Sequence, residues 1–231
     1  MKFKPKKLIT GFLVTVLLIA VFHWITSQIQ VRRDIIWTSR SDEYRFTCLG
    51  LYNAAFNRLR EAVTGFKEPW AVVMDVDDTC LSSSKYRNFK KRWRTLFYRP
   101  RWSDWCRKGE DPAVPGAADF TQRIRELGGK VVLITGRSED LRGPTEKNLR
   151  KEGFIYDALL MSGPGRSKSA WRTKVETGQA VRELKPVKIV MLIGDQRSDF
   201  PSEATALTRS DEWGKKFFLI PNPMNGDWMP Y

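Results

Sequence analysis

Three apolar runs punctuate the chain: Trp70-Ala71-Val72-Val73-Met74, Val131-Val132-Leu133-Ile134 and Ile189-Val190-Met191-Leu192-Ile193. None of them alternates apolar with polar positions. A strand with one face in water alternates, whereas one covered on both faces reads as an unbroken apolar run. Stretches with helical spacing lie where the covering helices belong. Tyr44, Cys48, Leu51, Tyr52, Ala55, Phe56, Leu59 and Val63 recur at intervals that predict a helix ahead of the first strand, ending near Gly65. Further helices are predicted over 117–127, 145–151 and 169–184, stopped by Gly128-Gly129, Gly153 and Pro186. Leu159-Leu160-Met161 and Phe217-Phe218-Leu219-Ile220 read as two shorter strands. The pattern predicts an α/β fold built on a doubly wound parallel sheet.

Polar chemistry follows each of the three long runs. Asp75-Val76-Asp77-Asp78-Thr79 follows the first, Thr135-Gly136-Arg137 the second, and Gly194-Asp195-Gln196-Arg197-Ser198-Asp199 the third. Open parallel sheets bind ligands outside the carboxyl ends of their strands, so these three segments are expected to meet in one site. Residues i and i+2 share a face of a strand, and the chain turns just beyond it, so two carboxylates can converge on one bound group. One can attack while the other handles the proton, which is the requirement of covalent phosphoryl transfer.

From Trp70 to the C-terminus the chain resembles the haloacid dehalogenase superfamily, and within it the acid phosphatases related to plant vegetative storage proteins. The resemblance rests on the DxDxT motif at Asp75, the TGR at Thr135, and Gly194-Asp195-Gln196 with Ser198-Asp199. It also includes Trp102-x-x-Trp105, Pro115-Gly116-Ala117-x-Asp119-Phe120, and Phe218-x-Ile220-Pro221-Asn222-Pro223-Met224. It implies that Asp75 is the nucleophile of an aspartyl-phosphate intermediate and that Asp77 protonates the leaving alkoxide, then activates water. Thr135 is implied to hydrogen-bond the transferring phosphoryl group, with Gly136 and Arg137 also binding substrate. The implied cofactor is Mg²⁺, held by Asp75, the backbone carbonyl of Asp77, Asp195 and Asp199; a hard cation suits an all-oxygen donor set. The superfamily also places a lysine beside the nucleophile. Spacing from Leu159-Leu160-Met161 favours Lys174, with Lys168, a further expected substrate contact, as the second choice.

The residue inventory removes several rival chemistries. The chain has one histidine, His23, so a Ser-His-Asp triad, a phosphohistidine mechanism and a multi-histidine zinc site all lack their imidazoles. A thiol phosphatase needs an arginine six residues after its cysteine. Cys48, Cys80 and Cys106 are followed at that spacing by Ala54, Tyr86 and Pro112. A Cys80–Cys106 bridge is conceivable in an oxidising compartment, but no pairing follows from three cysteines.

The N-terminal region adds an address. Lys2, Lys4, Lys6 and Lys7 precede a segment, 8–25, that is apolar and free of charge. At 1.5 Å per residue it spans about 27 Å as a helix, enough for a thin bilayer core. Bulky residues at Val21-Phe22-His23-Trp24-Ile25 favour an uncleaved anchor over a cleaved signal peptide, which would leave a secreted protein. The positive-inside rule then places the tail, 1–7, in the cytoplasm and the catalytic domain outside it. Residues 26–43 read as a polar connector and 44–231 as the α/β domain, with a cap insert over about 82–112. Of a formal net charge of +14, residues 85–108 within that insert hold most: Lys85, Arg87, Lys90, Lys91, Arg92, Arg94, Arg99, Arg101, Arg107 and Lys108 against Asp104. Tyr86, Phe89, Trp93, Phe97, Tyr98, Trp102 and Trp105 are interleaved with them. Three readings stay open: a rim that attracts phosphorylated small molecules through Arg92 and Arg94, a dock for anionic lipid, or a solvated helix whose aromatics pack inward. No specific nucleic-acid recognition is expected. The expectation is a membrane-anchored, Mg²⁺-dependent phosphomonoesterase, with phosphotransfer to an alcohol as a variant of the same chemistry. The rival is a membrane-tethered binding protein on a degenerate phosphatase scaffold that uses the basic insert to hold anionic lipid or nucleic acid.

Overall fold

The computed structural model describes residues 13–22, 33–93, 101–163, 167–202 and 210–226. Five strands form one sheet: β1 Trp70–Met74, β2 Lys130–Thr135, β3 Ala158–Met161, β4 Lys188–Gly194 and β5 Phe217–Leu219. Their order is β3-β2-β1-β4-β5 and every pairing is parallel. The chain builds outward from β1 to β3, then crosses back to lay down β4 and β5 on the other side. The order therefore switches between β1 and β4, where sheets of this kind open a crevice.

The helices are α1 at 13–22, α2 Arg33–Arg40, α3 Asp42–Val63, α4 Ser84–Trp93, α5 Trp102–Cys106, α6 Ala117–Glu126, α7 Arg142–Lys151 and α8 Lys168–Thr177. The unbroken apolar runs now have their physical reason. Val72 and Met74 of β1 pack with Tyr52 and Leu59 of α3, Phe120 of α6 and Leu149 of α7 on one face. Ala71 and Val73 pack with Val175 of α8, Leu192 and Phe217 on the other. Every residue of β1 is buried. Burying such side chains contributes roughly 1.5–3 kcal/mol each, and that term holds the two layers to the sheet.

Three expectations need correction. The helix expected over 169–184 ends at Thr177, because Gly178 takes a left-handed φ of 72°. A Cβ at that position would lie 2.6 Å from the ring of Pro186, so glycine is demanded twice, by backbone and by neighbour. The stretch 26–43 is not only a connector: α2 packs on α3 and α4 and buries Ile35 and Thr38. Trp37 of α2 meets Tyr44 edge-on at 5.2 Å between ring centroids. The helix expected from Thr145 starts earlier, at Arg142.

The predicted insert contains α4 and α5, while 94–100 lies outside the described residues. So do the tail 1–7 and the flanks of the expected anchor, 8–12 and 23–25, with His23 among them. The described part of that segment is helical and exposes Leu13, Leu17, Leu18 and Phe22 by 60, 63, 62 and 67%. Among the described residues no helix is long and apolar enough to cross a membrane.

Candidate active site

The end of β1 is pinned before the chain turns: the Asp75 amide donates to the Ile193 carbonyl at 3.0 Å. Beyond it, the amides of Cys80 and Leu81 both donate to Val76 O, at 2.9 and 2.8 Å, folding 76–81 into a tight hook. Asp78 adopts φ 58° there, a conformation that few residues other than glycine accept. Its carboxylate is fixed from three directions: Oδ1 accepts from the Ser83 amide at 2.7 Å, and Oδ2 from Ser83 Oγ at 2.8 Å and Asn222 Nδ2 at 3.1 Å. The hook leaves Asp75 buried and the Asp77 side chain a quarter exposed.

The end of β4 supplies two more acids. Asp199 turns back over the strand, and its Oδ2 accepts from the amides of Asp195 and Gln196 at 3.1 and 2.9 Å. This return passes so close to Gly194 that a Cβ there would sit 2.3 Å from Asp199 Cβ, which explains the glycine ahead of Asp195. Asn222 Nδ2 donates to Asp195 Oδ2 at 2.7 Å, tying the Pro221-Asn222-Pro223 segment to the site. Ligand atoms of Asp75, Asp195 and Asp199 lie within 4.8 Å of one another.

Among the described residues, one cation meets these acids directly. Lys168, at the start of α8, places Nζ 2.5 Å from Asp75 Oδ1 and 2.6 Å from Asp199 Oδ1. Burial works against its charge, but the two carboxylates outweigh burial and hold the ammonium firmly protonated. The acids remain undercompensated. Burial pushes Asp75 up to about 7 against the pull of Lys168, with Asp199 and Asp77 adding to the rise. Burial, then Asp75 and Asp199, raises Asp195 as well. Crowded buried carboxylates with a single lysine between them call for a further cation, and three hard oxygen donors suit a divalent one.

The second half of the site surrounds Asp77. Thr135 Oγ1, fully buried at the end of β2, lies 3.5 Å from Asp77 Oδ2 and accepts the Arg137 amide at 3.1 Å. Arg137 Nη2 lies 2.7 Å from Asp77 Oδ1 and its Nε lies 3.0 Å from the same atom. Asp111, buried at the base of the insert, accepts from Arg137 Nη2 at 3.1 Å and from Trp105 Nε1 at 2.6 Å. Burial, opposed by those two partners, pushes its carboxyl up to about 6.

The structure thus assembles Asp75, Asp77, Thr135, Asp195 and Asp199 at the carboxyl ends of β1, β2 and β4, with Gly136 exposed beside them. Two expectations change. Lys174 is not in the site: it is exposed on α8, with Nζ 4.7 Å from the ring centroid of Trp171, and Lys168 stands on the carboxylates instead. Six residues at 100° each turn the two lysines 240° apart on one helix, so only one can face the sheet. Arg137 was expected to touch substrate, but its side chain is fully buried and committed to Asp77, Asp111 and Thr145. The Arg92 side chain and all of Arg94 lie outside the described residues. Sequence reasoning passed over Asp111, Asn222 and Arg172, whose Nη1 and Nη2 donate to Asp199 O at 3.1 Å and Phe200 O at 3.3 Å. Asn222 lay inside a quoted motif; Asp111 and Arg172 carried no signal beyond their charge. The three cysteines are free and buried.

The chain is similar to several known proteins. The chain is 31% identical over 154 residues to acid phosphatase 1 of Solanum lycopersicum and 30% identical over 156 residues to a stem 31 kDa glycoprotein of Glycine max. Each match takes in 66% of this chain but only 57 and 58% of the relative, so the chain spans little more than half the length of the curated proteins it matches. The class C acid phosphatase of Bacillus anthracis superposes with a TM-score of 0.74 at 27% identity, covering 87% of this chain and 86% of that one. A second structure of that protein, with tungstate bound, gives 0.73. The family described as "HAD superfamily, subfamily IIIB (Acid phosphatase)" matches residues 13–228, nearly the whole chain. With the aspartates of β1 and β4 gathered around one lysine at the sheet's switch point, this chain belongs to subfamily IIIB of the HAD superfamily.

Proposed function

We propose that the protein is a phosphomonoesterase that works through an aspartyl-phosphate on Asp75, requires Mg²⁺, and is anchored in a membrane by its N-terminal segment. The observation that carries this reading is the buried Asp75 carboxylate, 2.5 Å from Lys168 and within 4.8 Å of donor atoms on Asp195 and Asp199. A carboxylate so placed is desolvated, oriented and flanked by positive charge where phosphate charge must be carried. Asp75 attacks phosphorus as the P–O bond to the leaving group breaks, and Asp77 gives its proton to the departing alkoxide. Asp77 then takes a proton from water as that water attacks the acyl phosphate, which restores Asp75 and releases phosphate. Thr135 and Lys168 hold the phosphoryl oxygens during both displacements. Mg²⁺, bound by Asp75, Asp195, Asp199 and the Asp77 carbonyl, would supply the remaining positive charge. Tungstate, an oxyanion, occupies the Bacillus anthracis class C protein, which supports an oxyanion site in this fold.

Phosphate release from nucleotides, sugar phosphates and lipid phosphates, with Mg²⁺ and then with EDTA, tests the activity. The expected result is release that EDTA abolishes and Mg²⁺ restores. No release from any class, with or without the cation, ends the reading. The basic, aromatic insert, including Arg92 and Arg94, is assigned to drawing in phosphorylated small molecules and lying near anionic lipid. The tethered-binder alternative gains no support from the described residues, since a binder has no use for uncompensated carboxylates facing a phosphate.

Cation binding is also expected to show in stability. Asp75 is raised to about 7 in the folded protein, against about 3.9 for a free carboxyl, so the metal-free fold favours its protonated form. That contribution is complete below about pH 4 and disappears as pH rises through 7. At one fixed concentration, a hundred times its dissociation constant at pH 7.5, Mg²⁺ should therefore raise the melting temperature little at pH 5 and by about 5–10 °C at pH 7.5. Differential scanning calorimetry at the two pH values checks this. An equal shift at both, or none, removes Asp75 from the cation site.

For the anchor, the support is the four basic residues at 2–7, the charge-free segment 8–25, and an exposed apolar helix over 13–22. A full-length chain is expected in the membrane fraction after an alkaline carbonate wash, and one lacking 1–25 in the soluble fraction. Recovery of the full-length chain in the wash would refute the anchor.

A further inference from the structure

We propose that Asp111 is a positioning residue: by holding Arg137 in one orientation, it fixes the Asp77 carboxylate where it can serve the leaving group. The inference deepens the phosphomonoesterase reading and rests on it.

Among the described residues, the Asp77 side chain, a quarter exposed and so partly free to move, has beyond Arg137 only a weak 3.5 Å contact to Thr135. Its strong contacts come from one residue, through Arg137 Nε and Nη2. A guanidinium on a flexible stem would share that freedom, but this one is locked. Its side chain is fully buried, Nη1 donates to Thr145 Oγ1 at 3.1 Å, and Nη2 also donates to Asp111 Oδ2 at 3.1 Å. The Trp102 ring closes its flank, 5.4 Å from Cζ. A planar fork gripped at one end presents its other edge in a single direction.

Asp111 is the member of this network with no path to the substrate. It is 1% exposed, and each of its polar groups is engaged. Oδ1 accepts from Trp105, its amide donates to Asn148 Oδ1 at 3.0 Å, and its carbonyl accepts Asn148 Nδ2 at 2.8 Å. It therefore joins three elements: α5 of the insert, α7 behind β2, and the arginine that follows β2. A buried arginine paired with Asp77 alone would be free to swing with it; a second, immobile carboxylate removes that freedom. Asp111 thus acts on catalysis only through Arg137 and Asp77.

The consequence is selective. An alkyl phosphate expels an alkoxide that must be protonated as it leaves, whereas p-nitrophenyl phosphate expels a stable anion that needs no acid. Misplacing Asp77 should therefore penalise the first ester and spare the second. The comparison uses kcat/KM, which reports formation of the phosphoenzyme and not its hydrolysis. In Asp111→Asn the side-chain shape and the Trp105 contact are kept while the grip on Arg137 is lost. Its kcat/KM is expected to fall about 10–100-fold for glycerol phosphate and less than about threefold for p-nitrophenyl phosphate. Trp105→Phe, which frees Asp111 Oδ1 without changing charge, should shift the same ratio by a smaller factor and serves if Asp111→Asn does not fold. Equal losses on both esters, or no loss on either, would overturn the positioning role. Wild-type protein that hydrolyses neither ester sinks the phosphatase reading itself, and this inference with it.

Discussion

Asp75→Asn is expected to lower kcat for phosphate release by about 10⁴-fold or more while leaving the fold intact. Loss of a covalent nucleophile removes the reaction path and not merely one favourable contact, so the effect belongs with the largest that single substitutions produce. Stability should move the other way. Asp75 shares its surroundings with Asp195 and Asp199, and burial, with Asp199 and Asp77 adding to it, disfavours its charge even with Lys168 alongside. A neutral amide of the same size relieves that repulsion, so the metal-free variant should melt at or above the wild-type temperature. Two measurements check the pair of claims: acid-quench trapping of a labelled phosphoenzyme, present in wild type and absent in the variant, and thermal unfolding without divalent ions. A variant that still forms the phosphoenzyme would transfer the nucleophile's role to another group. One that fails to fold would leave the activity loss without a chemical meaning, and the trapping experiment on wild type would then decide alone.

Lys168→Ala and Lys174→Ala should separate sharply although the two residues lie on one short helix. Lys168 bridges Asp75 and Asp199 with its side chain only 14% exposed. Its loss is expected to cost about 10²–10³-fold in kcat/KM, the usual scale for one preorganised charge beside a reacting group. It should also destabilise the metal-free protein by about 3 kcal/mol or more, since it strips the partner from buried carboxylates. Added Mg²⁺ should return part of that stability but little of the activity. Lys174 gives up a cation–π contact at an exposed site, worth about 0.5–1 kcal/mol, and its variant should keep activity within about twofold. The reverse ranking would mean that α8 sits differently in the working enzyme.

Much of this fold was legible along the chain. β1, β2 and β4 are covered on both faces, and full burial leaves no polar position to interrupt the run, so Trp70–Met74 could be read almost to the residue. The acids past β1 and β4 were legible for a related reason: a buried strand ends abruptly, and carboxylates crowded at such an end have few structural uses. α3 was equally plain, because a 22-residue helix with one buried face repeats its signal through several turns. The end of α8 was missed because Pro186 looked like the stop, whereas the helix halts at Gly178 for want of a Cβ against that same proline. α2 was missed for the opposite reason: with eight residues, its few buried positions are too short a pattern to stand out from a polar connector.

The sequence alone determined which residue types stand at the ends of which strands, because backbone connectivity and burial are local enough to leave a periodic trace. Which partner each charge takes was decided only in three dimensions. Lys168 and Lys174 are alike in type and separated by under two turns; the seating of α8 on the sheet turns one toward Asp75 and the other toward Trp171. Arg137 reads in sequence as a residue open to substrate, yet its direction is set by Asp111, brought against it from 26 residues away. Ion pairs form between groups that packing brings together, and distance along the chain carries no record of that encounter.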